Sequence, residues 1–281
     1  MMVALIDSKC FKKCLNTNDI KVSKKFYDII YNDSNKVLFS RKYIEHLEKL
    51  IPNSDLFQAL LMELNDKNRI VVETTSLSST VDEEYLEIYK NSNLTFLFPI
   101  TYSNEVAYSV IKDGKVSKIS NSSIKGRIID SLFTKGTYAA SYQDFENDSD
   151  ISDFFNELFK IPRSIQEVVI FDRQITGTLL NGIKGKKISY YSLLRDRSAL
   201  AKIEAKNLLK DCLGAKAKLY CTGNARLIHE RKILIESLII TSDNSLDNLT
   251  VKEPTWEINI SSDQTKASTW KAKCVQFIEL R

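Results

Sequence analysis

Proline and glycine are scarce in this chain of 281 residues, four and eight in number, and that scarcity excludes a loop-rich all-β architecture, whose turns draw on both. Histidine is scarcer still, with His46 and His229 the two copies. The five cysteines (Cys10, Cys14, Cys212, Cys221, Cys274) are odd in number, without a Cys-x2-Cys pair or a histidine at finger spacing. Neither a disulfide framework nor a zinc site is therefore expected, and the thiols should be reduced. No apolar run approaches the ~20 residues needed to cross a bilayer, and Met1–Leu5 is too short for a signal sequence, so a cytoplasmic protein without a membrane span is expected. Neither sign of charge dominates: 40 Lys and Arg stand against 36 Asp and Glu, a net +4 that does not by itself announce nucleic acid. Internal repeats and glycine-rich phosphate loops are missing too.

What is present points to two α/β domains. At this length the chain exceeds the usual single domain. An acidic stretch rich in Ser and Asn (Asp144, Glu146, Asp148, Asp150, Asp153) reads as an exposed connector. It places domain limits at 1–146 and 147–281.

In the second domain, the apolar strand Val168–Phe171 ends in Asp172-Arg173, a short helical stretch passes through Leu179 and Leu180, and a second strand covers Lys187–Leu193. A helix is predicted over Ser198–Leu213, with Leu200, Ile203, Leu208 and Cys212 near one face and Gly214 as its stop. Lys218–Cys221 makes a third strand, and the mostly β-branched and aliphatic run Lys232–Ile240 reads as one buried strand. Strands alternating with helices favour a sheet with a substantial parallel part, whose ligands gather beyond the strand carboxyl ends.

Polar groups suited to phosphodiester chemistry crowd that last strand. A neutral imidazole (His229) can attack phosphorus, a guanidinium (Arg231) can hold phosphoryl oxygens, and a carboxylate can orient either. The segment resembles the phospholipase D superfamily signature, His-x-Lys-x4-Asp followed by Gly-Ser-x-Asn. His229 stands on the histidine, Arg231 on the lysine, Glu236 on the aspartate, and Ser242 and Asn244 on Ser-x-Asn. Arginine replaces lysine, glutamate replaces aspartate, and fewer residues separate Glu236 from Thr241 than the family usually places there. The resemblance implies metal-independent phosphodiester hydrolysis with no cofactor, through catalytic His229, Arg231, Glu236, Ser242 and Asn244. Arg173 and Asp172 are candidate phosphate-binding residues. A full site of this type uses two histidines, one attacking and one protonating the leaving oxygen. His46 lacks the companion spacing, so catalysis would require a homodimer. The basic residues Lys184, Lys186, Lys187, Arg195 and Arg197 either track phosphates or merely solvate a face.

The first domain begins with Val3-Ala4-Leu5-Ile6-Asp7, a strand that delivers a carboxylate at its end. Further strands are predicted at Lys36–Ser40, Arg69–Glu73 and Leu94–Ile100, with helices around Glu45, over Asp55–Leu64 and from Val81. A β-hairpin turns at Asp113-Gly114 and a helix covers Ile124–Phe133. Asp7, Glu45 and Asp82 could converge and hold a divalent cation. This order resembles a PIN-like nuclease domain, a three-layer α/β fold, which implies Mg²⁺ or Mn²⁺ at those carboxylates. Ser103 stands where the family has a further acid. The fold class expected is thus a PIN-like α/β domain followed by a phospholipase D-like one. Three function classes stay open: a phosphodiesterase or nuclease, in a setting such as bacterial defence against phage or mobile DNA; a phosphate- or nucleic-acid-binding module; and an adaptor among other protein subunits.

Overall fold

The computed structural model describes residues 1–16, 20–51, 54–73, 81–196, 198–228, 230–253 and 255–280, with backbone alone at 20–22, 54 and 81–84. Among these residues the chain is mixed α/β and divides into two compact units, Met1–Gly136 and Thr137–Arg281, each with its own sheet.

In the first unit β1 (Met2–Ile6) is buried at every residue, as suits a strand covered on both faces. Asp7 ends it and caps α1 (Ser8–Leu15), its Oδ1 accepting from the Cys10 amide at 2.6 Å and satisfying a first-turn donor. After α2 (Ile20–Tyr31) comes β2 (Asn35–Ser40), whose last residue caps α3 (Arg41–Leu50) through the Tyr43 amide at 3.0 Å. Next are α4 (Ser54–Asp66), β3 (Ile70–Glu73), α5 (Val81–Asn91), β4 (Leu97–Tyr102), β5 (Val106–Lys112), β6 (Lys115–Lys118) and α6 (Ile124–Lys135). Strand order is β3-β2-β1-β4-β5-β6, parallel through β4 and antiparallel beyond it. Phe11, Phe26, Phe39 and Phe57 pack ring against ring, with centroids 5.6 to 6.5 Å apart. The hairpin turn has positive φ at both Asp113 (52°) and Gly114 (73°), as a tight two-residue turn of Asp-Gly demands. The fourth strand starts later than the expected Leu94, because Ser92 Oγ accepts from the Leu94 amide at 3.2 Å and holds a turn there.

The second unit runs β7 (Thr137–Ser141), α7 (Asp148–Leu158), β8 (Glu167–Phe171), β9 (Lys187–Leu193), α8 (Ala199–Leu213), β10 (Ala217–Thr222), β11 (Arg231–Ile235), β12 (Leu238–Ser242), β13 (Glu257–Ser262), α9 (Gln264–Ala272) and β14 (Ile278–Glu279). Its sheet has the order β14-β10-β9-β8-β11-β12-β13-β7. A parallel centre of β8, β9 and β10 carries an antiparallel wing on each side. The expected parallel portion is there, preceded by β7, which pairs with β13, so the compact units divide ahead of residue 146.

Three expectations are corrected. The acidic stretch is not a connector but a helix start: Asn147 Oδ1 accepts from the Asp150 amide at 3.1 Å, Asp150 Oδ2 accepts from the Asn147 amide at 3.1 Å, and α7 then buries Ile151, Phe154, Phe155 and Leu158. This reciprocal capping uses the same acids that made the segment look solvated. The run Lys232–Ile240 is not one strand but a hairpin, with Ile235 opposite Leu238 and Glu236 in the turn at φ 50°. Finally, α8 buries Leu209 and Leu213, while Leu200, Ile203 and Leu208 are 65%, 56% and 48% exposed. The helix docks through its last turn, so the apolar residues of its earlier turns face outward.

Candidate functional site

Antiparallel pairing sets Lys232 of β11 opposite Phe171 of β8, and Arg231 opposite Ser242 of β12. The carboxyl ends of β8 and β12 and the start of β11 therefore share one end of the sheet. Asp172, Arg173, Arg231, Ser242 and Asn244, distant in sequence, all lie there.

Asp172 is fully buried. Its Oδ1 accepts from Ser245 Oγ at 2.7 Å and its Oδ2 from the Leu246 amide at 2.9 Å. Burial pushes its pKa up from the ordinary carboxylate value, opposed by the hydrogen bonds from Leu246, Ser245, Gln174 and Arg173. The expected phosphate-binding residue is thus a clamp on the 245–246 loop, its oxygens facing donors of its own chain. Arg173 is half-buried, and its Nε donates to the Ile228 carbonyl at 3.0 Å. That bond fixes the chain one residue before position 229. His229 itself lies outside the described residues.

Arg231 Nη1 donates to the Asp243 carbonyl at 2.9 Å. Ser242 Oγ donates to the Asn244 carbonyl at 2.8 Å, and Asn244 Oδ1 accepts from the Ser245 amide at 2.8 Å. The Ser-x-Asn segment is therefore a tight polar turn held between Arg231 and Asp172. Glu236 does not join this cluster: five residues of strand carry it to the opposite end of β11.

Lys232, one residue beyond the motif's cation, is a participant the sequence analysis missed. Its side chain is 6% exposed, and Nζ lies 2.6 Å from Glu230 Oε2, 3.0 Å from Thr241 Oγ1 and 4.6 Å above the Trp270 ring. A charged residue entering an otherwise aliphatic strand was the available signal, since a buried ammonium needs partners. Thr176 Oγ1, donating to Asp247, ties a further loop to the same end; nothing local in the sequence marks that pair.

In the first unit, Asp7 Oδ2 also accepts from the Tyr102 amide at 3.4 Å. Glu45 is exposed on α3 and pairs with Arg41 at 3.4 Å, and the Asp82 side chain lies outside what is described. Among the described residues no group of three or more His, Cys, Asp or Glu side chains is arranged to hold a metal ion. Asp7 serving backbone amides and Glu45 facing an arginine do not fit the expected divalent site. No helix among them is long and apolar enough to cross a membrane.

No protein-family model and no curated protein matches the chain. The chain is similar in part to a phospholipase D family member. That structure, Nuc from Salmonella typhimurium, matches with a TM-score of 0.36 and 12% identity over 51% of this chain and 96% of that one. NucT from Helicobacter pylori matches at 0.35 and 10%, over 51% and 96%. TrmBL2, an archaeal chromatin protein with a novel mode of DNA binding, matches at 0.34 and 8%, over 52% of this chain and 53% of its own length. Likenesses at these TM-scores do not assign a function.

Proposed function

We propose that the second unit binds a phosphodiester at the sheet end built by Arg173, Arg231 and the 242–246 turn, and that His229 attacks its phosphorus. One observation carries this reading: residues 172–173, 228, 230–231 and 242–246 meet at a single strand end, where Arg173 donates to the Ile228 carbonyl and Arg231 to the Asp243 carbonyl. Imidazole attack would release the ester oxygen, which takes its proton from His229 of the partner subunit, and water would then free the phosphate. A homodimer follows from that chemistry, as one copy supplies one such histidine. Nucleic acid is the substrate class proposed.

The test uses bis(4-nitrophenyl) phosphate and single- and double-stranded DNA, each with and without EDTA. Cleavage that persists in EDTA and disappears in His229→Ala, with an unchanged far-UV spectrum, supports the reading. Cleavage retained by His229→Ala overturns it. A second reading, phosphate binding without turnover, draws on the use of Arg231, Ser242 and Asn244 in bonds within the turn. Phosphate affinity that depends on Arg231, without hydrolysis and without a dimer, would select it. For the first unit the PIN-like relationship stays a proposal, and no step is assigned to a metal there.

A further inference from the structure

The first unit's sheet has a reversal point of its own. Strand order grows outward from β1 through β2 to β3 and then returns to β4 on the other side of β1. Ligands of open parallel sheets collect beyond the strand carboxyl ends at such a place. A cleft of about 280 Å³ opens there, with Asp7 and Lys9 beyond β1, Tyr102 at the end of β4, Tyr43 and Tyr85 from α3 and α5, and Val116 from the hairpin.

The chemistry of this lining is selective. Tyr43 and Tyr85 are nearly buried, and their hydroxyls donate to the carbonyls of Ile6 at 2.7 Å and Leu5 at 3.2 Å. Both rings are thereby fixed against β1 and wall the cleft, with almost no surface of their own left open. Tyr102 adds a third, half-buried ring. Asp7 is held by the Cys10 and Tyr102 amides, so its carboxylate is a fixed acceptor. Lys9 is exposed at the rim. An aromatic cage for an organic cation would be opposed by that lysine. A planar heterocycle carrying a phosphate uses all three features.

We propose that the cleft binds a guanine nucleotide, the base against Tyr102, its N1–H and exocyclic amine donating to Asp7, and its phosphate meeting Lys9. Aromatic side chains receive unstacked bases in a way that tolerates any base. A carboxylate only accepts hydrogen bonds when ionised, so it matches the base edge with two adjacent donors and rejects adenine, whose N1 is an acceptor. The volume falls just short of the usual range for small-molecule sites and suits one base. This proposal stands on the first unit alone and does not rest on hydrolysis by the second.

Titration calorimetry of the full chain with guanosine monophosphate and adenosine monophosphate tests it. The guanine nucleotide should bind about tenfold more tightly, the size of one charged hydrogen bond. Asp7→Asn keeps the helix cap, since asparagine caps as well as aspartate, and should erase the preference. Lys9→Ala should weaken guanosine monophosphate but not guanosine, and His229→Ala should change neither. Absence of binding, equal affinity for the two bases, a preference surviving Asp7→Asn, or binding lost in His229→Ala would each overturn it.

Discussion

The two units open their parallel sheets with nearly the same phrase, Val3-Ala4-Leu5-Ile6-Asp7 and Val168-Val169-Ile170-Phe171-Asp172, yet the two aspartates meet different ends. Asp7 is half-buried, caps the helix that follows it and lines a cleft. Asp172 is fully buried and clamps a loop that arrives more than seventy residues later. A carboxylate at a strand end is committed by what is delivered beside it. In the first unit the next residues in sequence supply the shorter bond, 2.6 Å from the Cys10 amide against 3.4 Å from that of distant Tyr102, and in the second a distant segment supplies the shortest ones.

Removing each carboxylate should break this symmetry most. Asp172→Ala leaves the Ser245 hydroxyl and Leu246 amide buried without their acceptor and should destabilise the second unit by about 3 kcal/mol. Asp7→Ala loses one cap, worth about 1 kcal/mol. Urea denaturation of both variants measures the gap, and equal costs would refute the clamp. Burial raises the Asp172 pKa, so the folded state holds this proton more tightly than the unfolded state does. Stability from this group is therefore greatest below the ordinary carboxylate range and declines as pH rises through the raised value. In Asp172→Asn that slope should vanish from the dependence of the midpoint on pH.

A second matched pair is a lysine over an aromatic ring beside a carboxylate. Lys232 joins Glu230 and Trp270 and is 6% exposed; Lys25 joins Asp130 at 2.7 Å and Tyr108 at 4.4 Å and is 24% exposed. Lys232→Met should cost about 1–2 kcal/mol, because half-exposed Glu230 regains water while the buried ammonium contacts are lost. Lys25→Met should cost less than about 1 kcal/mol, as Lys25 itself is the more exposed of the two lysines and so gives up less buried contact. Chemical denaturation of the pair decides, and a larger loss at Lys25 would reverse the ranking.

Legibility in the sequence followed locality. β9 was readable from its apolar run and the end of α8 from Gly214 as a stop, both local signals. The motif residues Arg231, Ser242 and Asn244 were readable by spacing, and the fold does gather them with Asp172 and Arg173. The Ser245 clamp and the Lys232 contact with Trp270 were not, since each joins segments whose pairing only the sheet order determines. α7 was hidden for another reason: aspartates, serine and asparagine signal solvent and helix caps alike, and the buried phenylalanines that separate the two readings come later.

The smallest expected effect concerns the point where spacing misled. Glu236 follows an unbroken aliphatic run and turns it at φ 50° without the glycine or asparagine such a conformation favours. The hairpin elsewhere in the chain places Gly114 at φ 73°, where no side chain resists. A left-handed residue with a Cβ is strained, so Glu236→Gly should stabilise the second unit by about 0.5 kcal/mol, the relief of strain being partly offset by glycine's greater freedom when unfolded. Because the turn lies at the end of β11 away from Arg231, phosphodiester binding and cleavage should be unchanged. A stability gain with intact binding separates the motif's spacing from its geometry. Loss of binding in a folded Glu236→Gly protein would return the glutamate to the site and require the hairpin ends to communicate along five residues of strand.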